Sequence, residues 1–294
     1  MSEKYSIFIF EGGLGKAVAA TALAEIIKNN HPDRKLIIVT PWPEVFLNNP
    51  SVERVYRYGN CPYFYKDYIY NKDSLVFKGE PYFTSEHIQK RRHIILSWCE
   101  LFNLKYNNEK PKLFFNVAEL DVIAAKFATR LKPILVMQTN GGVYTNEKPY
   151  CWTRDLPYFQ AQQIANILHQ QYHILHITRP ASLKLNNTET VPALPKRELL
   201  GLLLFSKKRI LIDSCMQHAA AALNLPSTVC WVGTSHINFG YELHKNMYPT
   251  LQKTSDHLVD SFIFDYNFDG SEHEFPYPSK ELFDINTIVK SVTD

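Results

Sequence analysis

The stretch "KYSIFIFEGGLGKAVAATALAEIIKNN", followed a few residues later by "KLIIV", constrains the fold more than any other part of the chain. Lys4 to Phe10 is a near-continuous apolar run, as expected of a strand buried on both faces. Lys16 to Asn29 repeats its apolar residues, Val18, Ala22, Leu23, Ile26 and Ile27, at helical spacing. Leu36 to Val39 is a second apolar run. A strand, a helix and a strand joined by short connections leave only the parallel βαβ unit, because parallel neighbours need a crossover.

The same alternation restarts in the second half. Ile134 to Met137, His173 to Ile177, Ile210 to Ile212 and Thr228 to Val232 read as strands. Leu156 to Gln170 and Ser214 to Leu223 read as helices between them, and Leu199 to Phe205 closes another. Glu86 to Asn103 and Leu120 to Leu131 are expected to be helical, as is a terminal segment from Lys280 to Val292. The segment from Gly59 to Tyr82, dense in Tyr, Phe, Asn and Lys, gives no clear pattern. Two α/β domains follow, 1–131 and 132–278, with a boundary near Lys132-Pro133 and a terminal helix over 279–294.

Composition excludes several classes. No apolar stretch reaches the roughly 20 residues that span a bilayer, and no signal-type segment opens the chain, so the expectation is a cytoplasmic protein. Five widely spaced cysteines, Cys61, Cys99, Cys151, Cys215 and Cys230, give neither a disulfide framework nor a zinc spacing, and no metal site is expected from them. A net charge of +3 gives no argument for nucleic acid. Lys90-Arg91-Arg92 and Lys207-Lys208-Arg209 are expected to be solvated faces, with attraction to an anionic membrane surface or a phosphorylated substrate as the sharper alternative.

The Gly-rich turn fails two specific tests. A Walker A loop ending at Gly15-Lys16 would need glycine at Phe10 and a hydroxyl at Ala17. A dinucleotide fingerprint fits Gly13 and Gly15 but places Val18 at its third glycine, and no carboxylate follows the second strand at Thr40-Pro41. What survives is a turn whose Gly12, Gly13 and Gly15 either let a ligand approach a helix N-terminus or merely turn the chain. Asp265-Tyr266-Asn267-Phe268-Asp269-Gly270 matches the opening half of a calcium loop, but Pro276 stands where the bidentate Glu belongs. Tyr63, Phe64, Tyr65 and Tyr68 could form an aromatic platform for sugar rings.

A stronger signal lies in "RILIDSCMQHAAAALNLPSTVCWVGTS", from Arg209 to Ser235. Here a strand runs into Asp213-Ser214 and a helix begins at once, with Ser214 and Gln217 spaced as a capping box. A helix N-terminus beyond the carboxyl end of a parallel strand suits a diphosphate. His218, one turn on, either donates to such a ligand or is a buried structural histidine.

Taken together, Asp213-Ser214, Gln217-His218, Ala219 to Leu223, Pro226 and Gly233-Thr234-Ser235 resemble the donor-site motif of glycosyltransferase family 9, the lipopolysaccharide heptosyltransferase-like proteins. Gly12 to Ala24, Leu47 to Val55, Thr139-Asn140-Gly141-Gly142 and Lys148 to Pro157 resemble other segments of that family in the same order, and 59–110 matches none. The resemblance implies a GT-B fold, two Rossmann-like domains with parallel sheets facing a cleft, the terminal helix packing back on the first domain. It implies an inverting transferase that moves a heptose-like or other sugar from a nucleoside-diphosphate sugar to a glycan or glycolipid acceptor. The protein would need no cofactor beyond that co-substrate, and would be cytoplasmic, with peripheral contact at the inner membrane face as the alternative. The donor would meet Ser214, Cys215, Met216 and His218, a cation from Lys148 or Arg154, and Trp152, Thr139 and Asn140, with Asp213 orienting the loop and Gly13 and Gly15 allowing close approach. Two positions depart from the family. Lys16 stands where the catalytic carboxylate is expected, and Cys215 replaces a glycine. Glu11, the nearest carboxylate, is the candidate base, with Lys16 as a phosphate ligand; the alternatives are a degenerate nucleotide-sugar-binding protein and a nucleotide-sugar epimerase-like enzyme.

Overall fold

A computed structural model describes residues 3–127, 129–141, 153–179, 182–252 and 275–293. The chain divides into two units, Met1–Val117 and Ala118–Asp294.

In the first unit, β1 (Lys4–Ile9), α1 (Leu14–Asn30) and β2 (Lys35–Thr40) form the expected βαβ unit, followed by β3 (Arg54–Arg57), α2 (Phe64–Tyr68), β4 (Asp73–Lys78), α3 (Ser85–Ile88) and α4 (Ile94–Leu101). The sheet order is β3-β2-β1-β4, all parallel. Ile7 of β1 sits level with Ile37 of β2 and Val76 of β4. The chain therefore adds strands on one side of β1 and then crosses to the other, which opens a switch point between β1 and β4. Helix α1 is alanine-rich and buried nearly all round, from Ala17 to Ile27. Such a helix must be covered on both sides, and α4 packs against it. Phe8 and Phe10 meet Trp98 of α4 edge-on, with ring centroids 5.9 and 6.1 Å away.

Two expectations change here. The helix expected over Glu86–Asn103 is broken, because Lys90 takes a left-handed φ of 57° and His93 caps a new helix by accepting from the Ile95 N–H. The unclear Gly59–Tyr82 segment holds α2 and an entire strand, β4. Its aromatic residues divide: Phe64 and Tyr68 pack into the core beside Tyr5 and Tyr56, while Tyr63 and Tyr65 are exposed.

The second unit runs through α5 (Val117–Phe127), β5 (Ile134–Gln138), α6 (Tyr158–Leu168), β6 (His173–Ile177), β7 (Glu189–Thr190), α7 (Lys196–Gly201), β8 (Lys208–Ile212), α8 (Cys215–Ala222), β9 (Thr228–Cys230), α9 (His236–Phe239), β10 (Lys245–Met247) and α10 (Ile285–Thr293). Its sheet, also parallel, has the order β10-β9-β8-β5-β6-β7, with its switch point between β5 and β8. The two units divide at 117/118 and not near 132. The reason is that α5 is tied to α7 by ion pairs Arg197–Glu119 at 2.7 Å and Lys126–Glu198 at 2.5 Å. The terminal helix, α10, packs into its own unit. Its Ile288 and Val292 join the core of the second unit, against α6, β8 and β9. Tyr172 donates to the Val292 carbonyl at 3.3 Å and Lys245 to that of Ser291 at 3.0 Å. The amphipathic face of α10 is thus satisfied within its own unit. Of the basic run 207–209, Lys207 is exposed and Lys208 half-buried, but Arg209 lies inside, bonded to the carbonyls of Pro226 and Ser206, and burial pulls its pKa down to about 10.

Candidate functional site

At the β5/β8 switch point of the second unit, the chain leaves β8 as Asp213-Ser214 and turns directly into α8. Ser214 has extended backbone and its side chain makes no cap. The expected capping box does not form, because Gln217 turns inward and donates to the Phe239 carbonyl at 2.9 Å. The Ser214 hydroxyl instead accepts from Gln138 Nε2 of β5 at 3.1 Å, so β5 and the start of α8 are pinned side by side. Gly141 completes this contact: a Cβ there would stand 2.7 Å from Ser214 Oγ. Only glycine lets the two strand ends approach so closely.

Around this point the polar side chains brace one another. Thr139 Oγ1 meets His176 Nε2 at 2.8 Å, and Asn140 donates to Thr178 Oγ1 at 2.9 Å while accepting from the Arg179 N–H at 2.8 Å. Arg179 pairs with buried Asp155 and donates to the Gly141 carbonyl at 2.9 Å. Burial pushes the Asp213 carboxyl up, opposed by Arg154, whose Nε lies 3.8 Å from Asp213 Oδ2, and by the Thr234 hydroxyl. Burial also pushes the Cys215 thiol up, and the Lys196 ammonium acts against it. Met216 is fully buried, so α8 offers its backbone there and not that side chain. His218 is buried and its Nδ1 meets the Tyr241 hydroxyl at 2.9 Å. Beside Thr139, Asn140 and Asp155 opens a cavity of about 490 Å³, walled mainly by Leu156, Pro157, Tyr158, Phe159, Leu183 and Leu185. The arrangement is a helix N-terminus with nearby cations, next to an apolar hollow.

A second set of polar residues lies at the β1/β4 switch point of the first unit. Lys16, in the first turn of α1, is buried and donates to both Glu80 oxygens, at 2.8 and 2.6 Å. Its ammonium lies 4.7 Å from the Tyr82 ring centre and 5.7 Å from that of Trp98. Burial lowers the Lys16 pKa, opposed chiefly by Glu80 and then by Glu11. Glu11 is exposed, and its carboxylate raises the pKa of the neighbouring Tyr58 phenol. Gly13 caps α1, Gly15 lies in its first turn, and Gly12 has a φ of 118° with Lys16 Cδ 2.7 Å from where a Cβ would be.

No family model and no curated protein matches the sequence. Solved structures do match in shape. A glycosyl transferase family 9 protein from Veillonella parvula superposes with a TM-score of 0.67 at 10% identity, over 99% of this chain and 96% of that one. The ADP-heptose lipopolysaccharide heptosyltransferase II of E. coli gives 0.63 at 11% identity, over 86% and 92%. The E. coli heptosyltransferase WaaC, solved with ADP-2-deoxy-2-fluoro heptose, gives 0.57 at 12%, over 91% and 100%. The fold is that of the family 9 glycosyltransferases. It is the GT-B fold, with two parallel α/β units.

Within this glycosyltransferase fold the residues singled out by sequence separate into two groups. Thr139, Asn140, Arg154, Asp213, Ser214, Cys215, Met216 and His218 gather at the second switch point. Glu11, Gly13, Gly15 and Lys16 gather at the first. Lys148, Trp152, Cys151 and the calcium-loop residues Asp265 to Gly270 fall outside the described residues. Among the described residues no group of three or more His, Cys, Asp or Glu could hold a metal ion, and no helix is long and apolar enough to cross a membrane. Sequence reasoning missed Lys196, Arg179 and Asp155 at the second switch point and Glu80 at the first. Arg179 lies two residues beyond β6, and its place at a strand's carboxyl end was the available signal.

Proposed function

We propose that the protein is an inverting glycosyltransferase whose nucleoside-diphosphate sugar binds at the β5/β8 switch point of the second unit. The observation that carries this reading is the close approach of Gly141 to Ser214, which brings the end of β5 against the start of α8 at the switch point. The helix dipole there favours a diphosphate, and charge growing on a leaving diphosphate gains most from dipoles already in place. Arg154 and Lys196 add positive charge beside it. The apolar cavity next to Thr139 and Asn140 suits a nucleobase. Neighbours of the same fold are named as ADP-heptose enzymes, which makes ADP-heptose the first donor to try and a surface glycan or glycolipid the first acceptor.

One observation favours binding without transfer: Lys16 stands where the resemblance places the catalytic carboxylate. Thermal shift separates the outcomes. ADP, GDP, UDP or CMP, or their sugars, should raise Tm, by about 2.7 kcal/mol of stabilisation at a hundredfold excess over Kd. If no nucleotide raises Tm, the donor site is misassigned. Binding without sugar release leaves the binding protein as the function.

A further inference from the structure

We infer that Arg179 is the positioning residue of the donor site: it grips the turn after β5 and cancels the Asp155 charge, so that a diphosphate can lie at the start of α8. The inference rests on the donor-site reading above and lies wholly within the second unit. The turn from Thr139 to Gly141 commits its backbone groups to neighbours. The Thr139 carbonyl accepts from the Leu156 N–H at 2.9 Å, and the Asn140 carbonyl from Gln138 Nε2 at 3.2 Å. Asp155 Oδ1 accepts from the Gly141 N–H at 3.4 Å, and Arg179 Nη1 donates to the Gly141 carbonyl at 2.9 Å. The backbone N–H of Arg179 also holds the Asn140 side chain, at 2.8 Å.

An ion pair that only joined the end of β6 to the start of α6 would not need to hold both polar groups of one glycine. Arg179 and Asp155 do hold them, and that glycine is the one whose Cβ would stand 2.7 Å from Ser214 Oγ. Charge points the same way. The Asp155 side chain is 2% exposed, and the residue touches Gly141 and also lines the cavity beside Thr139 and Asn140. Left alone, a carboxylate buried there would repel a diphosphate through surroundings that screen poorly. Arg179 Nη2 pairs with Asp155 Oδ2 and removes that repulsion. A guanidinium suits the task because its rigid fork reaches a carboxylate and a carbonyl at once, which an ammonium cannot match. Asp213, at the end of β8, is opposed in the same way by Arg154, 3.8 Å away.

The consequence is a split between two parts of one ligand. The diphosphate depends on the Gly141 turn and on cancellation of the Asp155 charge. A neutral nucleoside in the same cavity carries no charge for Asp155 to repel. Removing Arg179 therefore acts on the anion and spares the base.

The test uses the full chain with matched ligands, ADP and adenosine, GDP and guanosine, UDP and uridine, their affinities measured by calorimetry and ligand-observed NMR. Wild type should bind at least one diphosphate more tightly than its nucleoside. Arg179→Gln should weaken that diphosphate by about 30-fold, as expected when a buried charge loses its partner, and the nucleoside by no more than about threefold. Arg179→Gln combined with Asp155→Asn should regain most of the lost diphosphate affinity, which a merely structural role would not allow. Should Arg179→Gln fail to fold, Arg179→Lys keeps the charge without the fork and is expected to fold, weakening the diphosphate about fivefold, the contribution of one hydrogen bond, and sparing the nucleoside. Equal losses for diphosphate and nucleoside, a diphosphate held within about threefold by Arg179→Gln, or a double variant no better than the single one overturns the inference alone. A wild type that binds none of the three diphosphates, or none more tightly than its nucleoside, overturns the donor-site reading and this inference with it.

Discussion

Lys16 and Glu80 show how unequal the two members of an ion pair can be. Lys16 is enclosed and Glu80 is not. Truncating Glu80 leaves a buried ammonium without its partner, so Glu80→Ala should cost about 1–3 kcal/mol, below the full buried-pair range because water can reach the site. Lys16→Met removes the charge together with the need to solvate it and should be neutral or mildly stabilising. Urea unfolding of the two variants would show the difference, and equal losses would mean that the pair acts as a simple bridge. At the other switch point, Gly141→Ala drives a methyl group into Ser214 Oγ. It should weaken ADP binding about tenfold, or ~1.4 kcal/mol, when measured by calorimetry; unchanged affinity would place the diphosphate elsewhere. The Ser214 helix start was legible because Asp213-Ser214 follows an apolar strand at once. Glu80 was not legible, because its position depends on a strand that sequence did not reveal.

That strand is β4, DSLVFK, an edge strand with one neighbour, β1. An edge strand needs no continuous apolar run, and among Tyr, Asn and Lys its alternation carried little signal. The buried central strands β1, β2, β5 and β8 were legible for the opposite reason. The broken helix over 85–101 teaches a related point: helical spacing continues through Gln89-Lys90, but the chain turns left-handed there. Lys90→Gly should therefore stabilise the first unit by ~0.5 kcal/mol, since glycine takes that conformation without a Cβ penalty. A destabilised Lys90→Gly in thermal melts would show that the lysine side chain contributes more than its backbone costs. Helix α10 makes a larger contribution. Ile288 is fully buried in the core of the second unit, so Ile288→Ala should cost about 2–4 kcal/mol. A loss under ~1 kcal/mol in urea would mean that the helix is only loosely docked.

Across the molecule, each unit stores uncharged histidine. Burial holds His87 in the first unit and His176 and His244 in the second at about 4, down from 6.5. The unfolded chain binds protons to these rings at higher pH than the folded one. Stability is therefore complete above about pH 6.5, falls as pH drops towards 4, and levels off below that, with each ring contributing up to about 3 kcal/mol. His176 is the sharpest case, because its Nδ1 is buried with no partner among the described residues and would acquire a proton with none of them to accept it. Denaturant titrations at pH 7 and pH 5 should show this slope, and His176→Gln should flatten it; an unchanged slope would place the acid sensitivity in the carboxylates.

The same burial has an optical side. Trp98 is sealed in the first unit and Trp231 in the second, and the latter donates to Asn246 Oδ1 at 2.8 Å while the Trp98 indole N–H has no hydrogen-bond partner among the described residues. With Trp42 and Trp152 replaced by Phe, the chain would carry one indole per unit in two dissimilar surroundings. The colour of its fluorescence would then report which half of the molecule lets water in first, and a change at Trp98 would signal events beside the Lys16 ammonium without any added dye.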